Sequence, residues 1–239
     1  MRDKQKDVVY NLKEINEMCM SGLGGNCSII STFTWQILEG LGYSAHLCGS
    51  IVTSLATNLH LALIVKDLGN PGDIHLVDCG LGQPMFRPVS LNFNEESPIF
   101  QESYLEYKYI KHGGTILRMH GKGDLVKHND PPNDSLDFIL GKWRRFYEFT
   151  LEDFERETLQ RFGKFFETPD APEKYVPRAA IYPEGKAIIV TGYNLFTEQE
   201  DKTLKKTKLG TDDEVMTAYQ DYFPSIDKNL VALAYSTWK

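Results

Sequence analysis

Two apolar runs, "NLHLALIVKD" at 58–67 and "IHLVD" at 74–78, flank the segment "DLGNPGD", in which Gly, Asn, Pro and Gly fall within seven residues. The runs are rich in leucine and β-branched residues at period two, the pattern of strands. The segment between them has turn chemistry. The chain must double back here as an antiparallel pair. With the turn centred on Gly69, His60 and Asp78 stand opposite one another. Directly opposed side chains share a face, with Cβ atoms about 4.5–5.5 Å apart. His60 then shares its face with Ala62, Ile64 and Lys66, and Leu59, Leu61, Leu63 and Val65 form the core face.

Ahead of this hairpin, Ile30, Phe33, Thr34, Ile37 and Leu38 repeat at spacings of three and four, which predicts a helix over 28–39 with that stripe toward a core. Gly40 and Gly42 end it. "SAHLCGSIV" reads as a strand, as do 104–111, 115–119 and 143–149. Leu151, Phe154, Thr158, Phe162 and Phe165 predict a helix over 151–166. A later hairpin, "AAIYPEGKAIIVTGY", turns at Pro183 to Lys186, and Thr211-Asp212-Asp213-Glu214 is a capping box opening a helix to about Phe223. "NDPPNDS" at 129–135 is the clearest loop in the middle of the chain. Helix, antiparallel strands, then helix with further sheet is an α+β arrangement.

The 239 residues allow one large domain or two small ones with a real core. A net charge of -7 argues against nucleic acid and anionic membranes as partners, because both demand a basic surface. The first twenty residues carry charges throughout, and no uncharged apolar run approaches the ~18 residues of a membrane span. Cys19, Cys27, Cys48 and Cys79 are too few for a disulfide framework, so free thiols in a cytoplasmic protein are expected.

Cys27 follows "LGGN" and opens the predicted helix. A helix N-terminus or a nearby imidazolium lowers a thiol pKa from about 8.5 into the range ~3.5–7.5, and the thiolate is the nucleophile. Gly24 and Gly25 leave room for a substrate to approach. A free cysteine is also often only a small buried apolar residue, so a base is needed. His60 braced by Asp78 supplies one, unless the two form a purely structural pair. His75 has the wrong parity to meet Asp78; His112, His120 and His128 lie in Gly- or Asn-rich stretches that read as solvent-facing turns; His46 has no evident acid. A zinc site from Cys48, His60, His75 and Cys79 lacks the close ligand pairs of structural zinc, and no metal is expected.

A cysteine after paired glycines, a histidine on a strand and an aspartate before "CGLG" together resemble the arylamine N-acetyltransferase family. Its active-site turn reads R-G-G-x-C and its aspartate lies in D-x-G-F-G, where this chain has "LGGNC", "HLALIV" and "DCGLG". "RPVSL", "YEFTLEDFE" and "YPEGKAIIV" continue the likeness over about 22 to 225. The resemblance implies a papain-like arrangement in three parts: a shortened cysteine-bearing helical segment (1–42), an antiparallel β-barrel-like domain (43–150) and a C-terminal α/β lid (151–239). It implies a ping-pong transfer from acetyl-CoA to an arylamine or hydrazine, with Cys27 as nucleophile, His60 as base and Asp78 orienting it. Thr57 and Leu59 would line the acyl pocket on the cofactor side, and Phe86 would shape the amine pocket or serve the core. Lys202, Lys205, Lys206 and Lys208 would meet CoA phosphates or form a solvated face. The family arginine is Leu23 here, and Ile29 and Ser31 replace polar family residues. The same Cys, His, Asp order also serves thiol hydrolases and transglutaminase-like enzymes, and a non-catalytic binding protein could keep the fold.

Overall fold

The structure, a computed structural model, describes residues 11–52, 59–125, 138–152 and 176–238. The chain divides into two compact units, Asn26–Phe154 and the combination of Met1–Gly25 with Glu155–Lys239. Among the described residues no helix is long and apolar enough to cross a membrane.

The second of these units holds helix α1 (Leu12–Met20), opened by a capping box in which Asn11 and Glu14 satisfy one another's backbone N–H groups. The first unit opens with helix α2 (Cys27–Gly40), whose N-cap Asn26 accepts from the N–H groups of Ser28 and Ile29. Cys27 is therefore the first helical residue.

The strands of the first unit are β1 (Ser44–Val52), β2 (Leu59–Lys66), β3 (Ile74–Val77), β4 (Val89–Ser90), β5 (Phe100–Glu102), β6 (Leu105–His112), β7 (Thr115–His120), β8 (Ile139–Leu140) and β9 (Trp143–Phe149). They form one curled antiparallel sheet in the order β4-β3-β2-β1-β9-β7-β6-β5, with β8 on β9. The α+β class and the antiparallel, half-barrel character are as the sequence predicts.

The register of the β2–β3 hairpin is displaced from the sequence expectation. Leu63 pairs with Val77 and Ile64 with Leu76, so the ladder continued by one residue sets Asp78 against Ala62 and not His60. The turn is the expected 67–73 segment but centres on Asn70, with the aspartates at its ends holding it: Gly72 N–H donates to the Asp67 carboxylate, and Asn70 N–H to that of Asp73. The displacement is two residues in total, which preserves parity, so His60 and Asp78 remain on one face as diagonal neighbours. Both faces of β2 are buried, since Ala62 and Ile64 are as enclosed as Leu61 and Leu63.

α2 also turns differently from its hydrophobic stripe. Ile29, Ser31 and Thr32 are its buried residues, whereas Ile37 is 45% exposed. Small and polar side chains face inward because the helix approaches the sheet closely. The Ser31 hydroxyl donates to Leu61 O at 2.7 Å, and a Cβ on Gly80 would lie 2.8 Å from the Cys27 Cα.

The other unit contains a four-stranded antiparallel meander, β10 (Arg178–Ile181), β11 (Ile188–Thr191), β12 (Asn194–Glu198) and β13 (Leu204–Lys208). It also contains α3 (Asp212–Tyr222) and α4 (Lys228–Trp238). Val190, Leu209, Val215, Tyr219, Phe223 and Tyr235 belong to one core cluster. Lys205, Lys206 and Lys208 lie exposed along β13, at the end of the strand order, where charged side chains discourage further strand pairing. The helix expected over 151–166 and the loop at 129–135 fall almost wholly outside the described residues.

Candidate active site

Three elements of one unit converge. α2 presents Cys27 at its N-terminus, β2 presents His60 as its second residue, and Asp78 follows directly on β3. His60 and Asp78 are buried, and the His60 carbonyl accepts from the Ser50 hydroxyl at 2.9 Å, tying the base to β1.

The His60 ring is oriented by the carboxylate. Nε2–H donates to Asp78 Oδ1 at 2.9 Å, which fixes the tautomer, because an ionised carboxylate only accepts. Nδ1 is the nitrogen left over; it is buried and has no hydrogen-bond partner of ordinary geometry. The thiol of Cys27 is nonetheless close enough for ring and sulfur to shift each other's protonation. Asp78 Oδ2 accepts from the Tyr147 hydroxyl at 3.0 Å and lies 3.8 Å from Arg118 Nη1.

These contacts set the charges. Burial works to raise the Cys27 pKa, but the neighbouring His60 ring outweighs it and brings the thiol below its ordinary value. Burial likewise works to lower the His60 pKa, but the charge and hydrogen bond of Asp78 prevail and push it up to about 10. Asp78 resists its own desolvation through His60, Arg118 and Tyr147, and its pKa falls. The site therefore shifts the balance from a neutral thiol toward a thiolate beside an imidazolium. Cys48 is the opposite case: burial, reinforced by the Asp78 charge, pushes it up to about 12, so it stays a protonated core thiol.

Thr57 lies outside the described residues, and Leu59 is described only as the first residue of β2. Phe86 is 49% exposed, so it is not a core aromatic; its N–H donates to Glu102. His120 is not in a solvent-facing turn. It ends β7, is 1% exposed and stacks on Phe146 at 4.1 Å between centroids. His112 packs against the Phe138 ring, and His128 is outside the described residues. Tyr147 and Arg118 are participants that the sequence reading misses. Arg118 did carry a signal: a lone arginine inside the apolar run "TILRM" needs a buried counter-charge. Among the described residues no group of three or more His, Cys, Asp or Glu side chains could hold a metal ion.

A family model described as N-acetyltransferase matches residues 6–231. The fold is shared with the arylamine N-acetyltransferase from Mycobacterium abscessus (TM-score 0.73, 18% identity, 98% of this chain and 80% of that one). It is shared equally with the Nocardia farcinica arylamine N-acetyltransferase (TM-score 0.74, 20% identity, 97% and 78%). A third likeness is the Mycobacterium marinum arylamine N-acetyltransferase in complex with CoA (TM-score 0.70, 18% identity, 94% and 80%). No curated protein sequence matches the chain.

Proposed function

Because the chain belongs to the N-acetyltransferase family, we propose that this acyltransferase moves an acetyl group from acetyl-CoA to an arylamine or hydrazine nitrogen through a thioester on Cys27. The reading is carried by the His60–Asp78 contact of 2.9 Å, which leaves Nδ1 free to hold the thiol proton. The CoA bound by the M. marinum relative supports acetyl-CoA as the donor.

The chemistry then runs in two halves. The Cys27 thiolate attacks the thioester carbonyl of acetyl-CoA, forming the new C–S bond. The C–S bond to CoA breaks, and the departing sulfur takes the proton held on His60. In the second half the amine attacks acetyl-Cys27, gives a proton to His60, and the Cys27 thiolate leaves as the amide forms. Asp78 keeps Nε2–H fixed throughout, so that Nδ1 is the nitrogen that takes up and returns the proton.

The test is CoA release measured with and without an arylamine. Release that depends on the amine, with one acetylated amine formed per CoA, is expected. Equal release in water alone would make the protein a thioester hydrolase, and no release under either condition would make it a non-catalytic relative.

A further inference from the structure

A second cation stands behind the Asp78 carboxylate. Arg118, in the middle of β7, is fully buried, with Nη1 3.8 Å from Asp78 Oδ2 and Nη2 donating to Pro84 O at 3.2 Å. Its guanidinium lies 4.4 Å from the Tyr107 ring centroid and 5.8 Å from that of Tyr147. Among the described residues, the carboxylate within ion-pair distance of Arg118 is that of Asp78. An arginine removed from water is strongly disfavoured unless a negative charge meets it, so these two charges need one another.

Counting formal charge over Cys27, His60, Asp78 and Arg118 shows what this pairing does. With Cys27 as a thiol beside an imidazolium, the cluster carries a single net positive charge, and loss of the thiol proton makes it neutral. Without Arg118, the same proton loss would take a neutral cluster to a net negative one in a buried site. The Asp78 charge on its own works against the thiolate, even as it holds the imidazolium in place.

The neighbouring titratable groups do not upset this count. Tyr107 and Tyr109 on β6, Tyr147 on β9 and Cys48 on β1 are all raised chiefly by burial and stay neutral. Glu102 on β5 is met by Arg87 Nε at 2.6 Å and by the hydroxyl of Tyr107.

We propose that Arg118 is a positioning residue for the transfer reaction: by neutralising Asp78 from behind, it lets the carboxylate orient His60 without driving Cys27 back to the thiol. The same guanidinium grips the Pro84 carbonyl, so it also ties Asp78 to the segment that follows it. The proposal rests on the reading of Cys27 as nucleophile.

The test is alkylation of Cys27 by iodoacetamide across pH, followed at its own peptide by mass spectrometry, in the unmodified protein, Arg118→Met and Arg118→Lys. The unmodified protein should titrate below the ordinary thiol value of about 8.5. Arg118→Met should move the profile up by about one unit or more, a roughly tenfold loss of rate on the acid side. Arg118→Lys keeps the charge and should follow the unmodified profile, even where its altered shape lowers the melting temperature. A Met profile that coincides with the unmodified one overturns the proposal, and so does a Lys profile displaced as far as that of Met. If circular dichroism shows Arg118→Met unfolded, the Lys variant decides by itself: titration at the ordinary thiol value refutes a charge role. An ordinary profile in the unmodified protein would instead refute Cys27 as an activated nucleophile, and is told apart by needing no variant.

Discussion

Gly80 rests on the backbone of Cys27: a Cβ built on the glycine would meet the Cys27 Cα at 2.8 Å and the Ser31 hydroxyl at 2.8 Å. The glycine two residues past Asp78 thus sets how near the cysteine helix comes to the sheet that carries His60 and Asp78. We expect Gly80→Ala to cost about 1–3 kcal/mol of stability through overpacking. It should also lower kcat/KM at least about tenfold by moving the thiol from His60. Urea unfolding and steady-state turnover on the same variant check both; an alanine variant with unmodified turnover would show that the close approach does not position the thiol.

The pair of opposed shifts at Cys27 and His60 predicts an unusual stability profile. His60 is raised to about 10, so its contribution is present below about 6.5 and is lost as pH climbs toward 10. Cys27 is lowered, so its contribution is present above its unfolded value of about 8.5 and is lost as pH falls through its folded value. Over the part of the range between about 6.5 and 8.5 that lies above the folded pKa of Cys27, the folded state has one proton more on His60 and one fewer on Cys27, and the two slopes cancel. Stability should be level across that window in the unmodified protein, and should decline with rising pH across it in Cys27→Ala. Urea midpoints at several pH values measure this, and parallel profiles for the two proteins would contradict the thiolate–imidazolium pair.

Asp78→Asn removes the charge that raises His60 and offers Nε2 an ambiguous partner. The imidazole pKa should fall toward about 6.5, and turnover should drop by about 10²–10⁴-fold. The histidine shift is read by NMR titration of the ring protons, and turnover by CoA release.

Tyr147→Phe withdraws the hydroxyl that donates to Asp78 Oδ2 at 3.0 Å. Leaving a buried carboxylate oxygen short of a donor costs about 1–3 kcal/mol. We expect a lower melting temperature together with a several-fold smaller kcat and little change in KM, measured by thermal unfolding and steady-state kinetics. A change confined to KM would place Tyr147 in substrate binding instead.

What could be read from the sequence was local. The spacing of three and four after Cys27 announces a helix and "DLGNPGD" announces a hairpin, because each signal lies within a few neighbouring residues. The exact register of that hairpin was not legible, since it depends on the Asp67 and Asp73 carboxylates reaching back to backbone N–H groups. The inward face of α2 misled a reading based on apolar stripes, because contact with Gly80 selects small side chains over large ones. β13 was not legible because its lysines have the composition of a solvated segment, whereas α4 did carry a signal in Asp227, whose carboxylate accepts from the Asn229 and Leu230 N–H groups. Arg118 and Tyr147 reach Asp78 only through strands far apart in the chain, so no spacing rule connects them.

Passage of the acetyl group through residue 27 is the central step of the transfer. Incubating the protein with acetyl-CoA alone, with no acceptor, and mapping the products by peptide mass spectrometry addresses this directly. A single acetyl on the Cys27 peptide is expected, lost on adding an arylamine and absent in His60→Ala. An acetyl group on another residue that turns over with the amine, or amine acetylation by a Cys27→Ala protein, would contradict it.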